Sequence, residues 1–281
     1  MLMSVAGGLG LFLYGMQLMG EGLQKVAGDR LRRILEMLTT VPVIGVVVGA
    51  IVTVLVQSSS ATTVMTVGFV NAGLMNLRQA ISIILGANIG TTVTAQMVSL
   101  KLTDLALPAI ALGFLLNFMG KSRFQKHLGQ VIMGFGILFL GMTIMSDGLR
   151  PLRTSPIFKQ YIVLFGDRPL LGVLAGAVFT AAVQSSSAFT GLVISLALQD
   201  LIGINAAIPL ILGSNIGTCI TAMLASIGTN VTARRASLAH VLFNVFGVVL
   251  FLPFLGPFTN FIASSAGTVA HQAANAHTLS T

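Results

Sequence analysis

Two short polar runs stand inside otherwise apolar stretches: Gln57-Ser58-Ser59-Ser60, with Thr62 and Thr63 just after it, and Gln184-Ser185-Ser186-Ser187. Each run offers three hydroxyls, which donate and accept, and an amide with both functions. Such a cluster can replace the hydration shell of a small cation through its oxygens. It can equally donate to an oxyanion through its hydroxyls and the N-terminus of a following helix. A second polar run follows each: Asn88-Ile89-Gly90-Thr91-Thr92 and Asn215-Ile216-Gly217-Thr218. No Lys or Arg adjoins either serine run. An anion bound there relies on dipoles, hydroxyls and a co-bound cation. The competing reading is that the hydroxyls bond to carbonyls of their own helices. Duplication of clustered polar groups in apolar surroundings favours a site.

Hydroxyl clusters also invite a serine-nucleophile reading, which needs a positioned base. His240 is the one histidine inside an apolar segment, and the first half has Gly113 at the matching position. His127, His240, His271 and His277 show no metal-ligand spacing. The single cysteine, Cys219, excludes an intramolecular disulfide framework. Met16, Met19, Met142 and Met145 fall at helical spacing and read as packing residues. Asn117 and Asn244 read as bridges between helices.

The surroundings of these runs define the solvent. Only 8% of the 281 residues are charged and mean hydropathy is +0.95, whereas soluble domains carry about 25% charged residues. Uncharged stretches at 1–20, 41–77, 79–100, 105–120, 169–199 and 201–233 include several longer than the roughly 20 residues that span a bilayer. The first lacks a basic leader and a small-residue cleavage site, so it reads as a retained helix. Net charge is +8, but the basic residues sit at segment ends, as membrane topology demands, with no aromatic-basic surface for nucleic acid.

The chain is a duplication. Residues 10–23 match 136–149 at an offset of 126, and the serine runs, the Asn-Ile-Gly-Thr runs and Asn117/Asn244 repeat at 127. The division is 1–127, 128–256 and a tail, 257–281, which reads as the truncated start of a further helix. Ala276-His277-Thr278-Leu279 in that tail echoes Ala239-His240-Val241-Leu242.

Within the first copy, residues 1–20 read as a crossing and 25–36 as an amphipathic interfacial segment. The apolar arms 43–56 and 61–75 are each about 20 Å long as helices, short of a core of roughly 30 Å. They predict a re-entrant hairpin with the serine run at its tip. Residues 79–100 read as a crossing unwound at Gly86 to Thr92, and 105–120 as the last crossing. Three crossings is an odd number, so the second copy must be inverted. The expected fold is an all-α membrane protein of two inverted repeats. Each has about three crossings and one re-entrant hairpin, and the site lies at the repeat interface near the midplane. Lys25, Arg30, Arg32, Arg33, Arg78, Lys121, Arg123, Lys126, Arg234 and Arg235 fall on one side, against Lys101, Arg150, Arg153, Lys159 and Arg168 on the other. That bias places the N-terminus outside.

Residues 56–63 and 183–188 around the serine runs, with 86–92 and 213–218, resemble the motifs of the sodium/phosphate cotransporter family, the bacterial relatives of the type II sodium-phosphate cotransporters. The resemblance covers nearly the whole chain. It implies a symporter of the bacterial inner membrane that imports inorganic phosphate on the inward sodium gradient by alternating access, with sodium as coupling ion and no other cofactor. Transferred residue by residue, the substrate and sodium region comprises Gln57, Ser58, Ser59, Ser60, Thr62, Thr63, Asn88, Thr91, Thr92, Gln184, Ser185, Ser186, Ser187, Asn215 and Thr218. Phe189 stands where the first copy has Thr62, so the halves need not bind identical ligands. Another oxyanion, phosphate export and an intramembrane serine hydrolase remain as alternatives, and the reading admits a homo-oligomer.

Overall fold

The structure is a computed structural model that describes residues 1–27, 41–100 and 102–281. Every regular element among the described residues is helical. The first copy contributes α1 (Leu2–Ala27), α2 (Pro42–Val56), α3 (Ser59–Asn71), α4 (Leu77–Ser99) and α5 (Ala106–Met119). The second contributes α6 (Arg123–Leu149), α7 (Pro156–Asp167), α8 (Pro169–Val183), α9 (Ser186–Leu198), α10 (Ile204–Gly217), α11 (Cys219–Ala225) and α12 (Val231–Phe251). Helices α13 (Leu255–Ser265) and α14 (Val269–Ser280) close the chain.

Five of these segments are long and apolar enough to cross a bilayer: α1, α4, α6 with the turn after it, α10 with α11, and α12 running on to Ser265. The chain is a multi-pass membrane protein. Where the last crossing of the first copy is expected, at 105–120, the structure has Thr103–Met119, an apolar helix shorter than these five segments. Most of the interfacial segment expected at 25–36 lies outside the described residues; its counterpart in the second copy is α7, which meets α8 at a bend of 111°.

The scaffold is built on backbone contact. A Cβ at Gly8 would strike the backbone of Gly141 and Met145, and one at Gly15 would strike Gly134 and Leu138. The reverse holds from Gly134 and Gly141, which face Gly15 and Gly8. The sum of paired residue numbers is constant, so α1 and α6 run antiparallel. Small residues permit this approach, and close packing drives helix association in lipid. Phe12, Phe139, Met142 and Met145 fill the flanks of the seam, all fully buried.

The same device joins α2 to α4 and α8 to α10. A Cβ at Gly86 would strike the carbonyl of Val46, and one at Gly213 that of Val173. This corrects the expected unwinding at residues 86–92. Helix α4 is continuous there, and its glycines admit the backbone of α2. The second copy is interrupted only at Thr218, between α10 and α11.

The arms around each serine run are matched helices: α2 and α8 have 15 residues, α3 and α9 have 13. Gln57 and Gln184 stop the first arms in the left-handed conformation, at φ 58° and 57°, and each donates its N–H to a threonine carbonyl, Thr53 or Thr180, at 2.7 Å. Ser58 and Ser185 then cap the second arms, their Oγ accepting from Ala61 N–H at 3.1 Å and Ala188 N–H at 3.2 Å. The inner arms reach into the opposite copy: α3 packs on α11 and α12, and α9 on α1 and α4.

The tail at 257–281 carries α13 and α14. Helix α14 inserts against α4, α9 and α10, burying Ala270, Ala273, Ala274, Ala276 and His277. Gln96 of α4 ties it down through Nε2, which donates to Asn275 Oδ1 at 3.0 Å and Thr278 Oγ1 at 2.8 Å.

Candidate ligand site

Ser59, Asn88 and Thr91 of the first copy meet Ser186, Asn215, Thr218 and Asn244 of the second around one cavity, with His277 and Thr281 from the tail. The pairs Ser59/Ser186, Asn88/Asn215 and Thr91/Thr218 each stand at the repeat offset of 127. The cavity measures ≈ 10 Å³, room for about one water-sized occupant. None of its lining residues is an acid, a lysine or an arginine.

Ser59 and Ser186 are the first residues of α3 and α9. Two helix N-termini therefore open at the cavity, where unsatisfied N–H groups and the helix dipoles favour negative charge. The threonines face it differently. Thr91 Oγ1 donates to Ala87 O at 3.1 Å and Thr218 Oγ1 to Ser214 O at 2.8 Å. A carbonyl can only accept, so these hydroxyls have committed their protons and offer lone pairs. Thr281 Oγ1 does the same toward His277 O at 2.7 Å. The lining thus presents serine and amide donors beside threonine acceptors, a set able to hold an oxyanion, a small hard cation, or both.

On the first-copy side the polar atoms answer one another. His240 Nε2 lies 3.2 Å from Asn88 Oδ1, Asn88 Nδ2 donates to Asn244 Oδ1 at 3.4 Å, and Asn244 Nδ2 donates to His240 O at 2.9 Å. Asn244 is therefore both the helix bridge expected of it and a cavity residue. Asn117, its repeat counterpart, is half-buried on α5 and does not line the cavity.

Of the fifteen residues singled out, six line the cavity: Ser59, Asn88, Thr91, Ser186, Asn215 and Thr218. Ser58 and Ser185 act as helix caps, and Ser60 and Ser187 are half-buried beside them. Gln57 is buried, its Oε1 accepting from Thr94 Oγ1 at 3.0 Å, whereas Gln184 is exposed. The reason is a neighbour: α1 packs on α2, with Gly20 against Gln57, and among the described residues α6, the second-copy counterpart of α1, makes no comparable contact with α8. Thr92 Oγ1 donates to Ile89 O at 2.7 Å, while Thr63 Oγ1 is buried without a partner among the described residues. Thr62 Oγ1 donates to Ser58 O and accepts from Thr53 Oγ1 at 3.0 Å. In the second copy Phe189 occupies the place of Thr62, and Thr180 Oγ1 is left buried and unpartnered among the described residues.

Sequence reasoning did not place His277 or Thr281 in the site. The Ala-His-x-Leu echo was the available signal. Among the described residues no group of three or more His, Cys, Asp or Glu could hold a metal ion.

A family model described as Na+/Pi-cotransporter matches the chain twice, over residues 11–147 and 141–271. The uncharacterized protein YqeW of Bacillus subtilis is 35% identical over 251 residues, covering 89% of this chain and 81% of that protein. The candidate inorganic phosphate export protein YjbB of Salmonella typhimurium is 31% identical over 261 residues, 92% of this chain and 48% of YjbB. This chain thus spans about half the length of YjbB. The human sodium-dependent phosphate transport protein 2C is 34% identical over 160 residues, 53% of this chain and 24% of that protein. No solved structure matches.

Proposed function

The chain belongs to the Na+/Pi-cotransporter family, and on that premise we propose that it imports inorganic phosphate together with sodium by alternating access, through the cavity between its two copies. The observation that carries this reading is the lining itself: three residue pairs at the repeat offset converge there, with two helix N-termini and no acidic, lysine or arginine side chain. An anion in such a place needs neutralisation, and a co-bound sodium on the threonine, serine and asparagine oxygens supplies it.

The reciprocal contacts of Gly8 with Gly141 and of Gly15 with Gly134 are what an internal two-fold axis produces. They support an inverted relation between the copies and a site near the midplane. A cavity of ≈ 10 Å³ suits one small ion, so phosphate requires the hairpins to part. Rocking of one copy against the other opens the cavity to each side in turn. The basic bias of the loops supports an N-terminus on the outside, and the family resemblance supports a bacterial inner membrane. Serine hydrolysis gains no support: Nε2 of His240 is engaged by Asn88, His240 does not line the cavity, and no acidic side chain lines it to orient a base.

Purified protein in liposomes should accumulate phosphate when sodium is high outside and not when potassium replaces it. Equal uptake under both conditions overturns sodium coupling. Export is the second reading, favoured by the match to YjbB over 92% of this chain. In right-side-out vesicles with sodium outside, import predicts a gain of labelled phosphate; export predicts loss of preloaded phosphate.

A further inference from the structure

We propose that α14 completes a second version of the Asn88, His240 and Asn244 cluster, and that His277 and Thr281, with Asn215, hold the transported oxyanion and select phosphate over sulfate. The inference rests on the transport reading above and adds to it residues beyond the family match, which ends at 271.

The two clusters correspond point by point. Helix α12 packs on α3, α4 and α10, and α14 packs on α9, α10 and α4; exchanging the copies turns one set into the other. His240 and His277 are each 2% exposed within an Ala-His-x-Leu run. Four residues on, a polar side chain donates to the histidine's own carbonyl in both: Asn244 Nδ2 at 2.9 Å and Thr281 Oγ1 at 2.7 Å. Both of those residues line the cavity. The equivalence crosses the repeat. Gly113, at the repeat offset from His240, packs on Gly129 instead, and the tail fills the place that α5 leaves.

The clusters differ in what remains unspent. Asn88 has both its side-chain functions engaged, by His240 and Asn244. The side chain of Asn215 bonds to no described residue; Nδ1 is buried without a partner among them in both histidines, but of the two rings it is His277 that lines the cavity. Buried polar groups are paired as a rule, so unpaired ones beside a polar cavity mark where a ligand's atoms go. The amide of Asn215 and a ring N–H of His277 are donors for anionic oxygens. Thr281 is restricted by its own bond: its proton is spent on His277 O, leaving lone pairs that accept only from a ligand O–H. Phosphate near neutral pH keeps such a proton and sulfate does not. Facing these lone pairs, phosphate gains a hydrogen bond and sulfate meets repulsion.

The test is binding of labelled phosphate to the purified full chain in lipid nanodiscs with sodium, competed by arsenate and sulfate. His277→Ala should weaken phosphate binding by about tenfold or more, the worth of a hydrogen bond to a charged group. His277→Gln, which keeps a donor, should recover part of it. Thr281→Val should weaken phosphate but not sulfate, narrowing the selectivity, an effect that lost packing alone does not produce. If His277→Ala does not fold, His277→Gln and Thr281→Val carry the comparison. Parent-like affinity and selectivity in the folded variants overturn the inference and leave phosphate transport standing. A parent that prefers sulfate overturns both, as does one that binds no oxyanion.

Discussion

The imidazole of His240 and the side-chain carbonyl of Asn88, 152 residues apart, meet at 3.2 Å inside the molecule. This contact joins the second copy to the first at the edge of the cavity, and Asn244 extends it. Each member is buried, so each group pairs with protein or goes unpaired.

Replacing Asn88 by Leu leaves His240 Nε2 and Asn244 Oδ1 without their partner. The expected cost is about 1–3 kcal/mol, read as a lower melting temperature in detergent. Combined with His240→Ala, the losses should fall short of additive by about 0.5 kcal/mol or more, because the two share one bond. Additive losses would show that the contact contributes nothing.

Thr53 and Thr180 make opposite predictions from the same position in each copy. Thr53→Val removes the bond to Thr62 Oγ1 and should destabilise by about 0.5–1.5 kcal/mol. Thr180→Val removes a buried hydroxyl without a partner among the described residues and should be neutral or stabilising by about 1 kcal/mol. Equal melting shifts in the two variants would refute the distinction.

Gly86→Ala and Gly213→Ala each drive a methyl into a facing carbonyl, Val46 or Val173. Backbone cannot yield as a flexible side chain does, so each should cost several kcal/mol, at or above the about 1–3 kcal/mol of ordinary overpacking. Size-exclusion profiles should show little folded protein. Gly7→Ala, where a Cβ would meet nothing within 4 Å, is the control that should behave as the parent.

Ser59→Ala and Ser186→Ala remove cavity hydroxyls and almost no volume. Both proteins should fold, with sodium-dependent phosphate uptake reduced about tenfold or more by loss of one hydrogen bond to a charged ligand. Parent-like uptake and sodium affinity in both would mean that these hydroxyls serve the helices alone.

What the sequence by itself determined was local or repeated. Polar serine runs between arms too short to span lipid pointed to paired short helices around each run, and a recurring offset of 126–127 pointed to two copies. Both follow from the cost of burying polar groups in hydrocarbon and from the length of a helical residue. The tertiary structure decided which hydroxyls the cavity receives. Ser59 and Ser60 are neighbours in sequence, yet only Ser59 reaches it, because helix rotation sets the direction of each side chain. It also decided that Gly86 keeps α4 continuous, since the helix that crosses it comes from 40 residues earlier in the chain. Gln57 and Gln184 share one local conformation, but Gln57 is buried beside α1 and Gln184 is exposed. The tail depends on tertiary contact in the same way: an Ala-His-x-Leu echo says nothing of place until α14 packs between α4, α9 and α10 and brings His277 to the cavity. Motif and span length are properties of short stretches, whereas facing and cover depend on contacts between residues far apart in the chain.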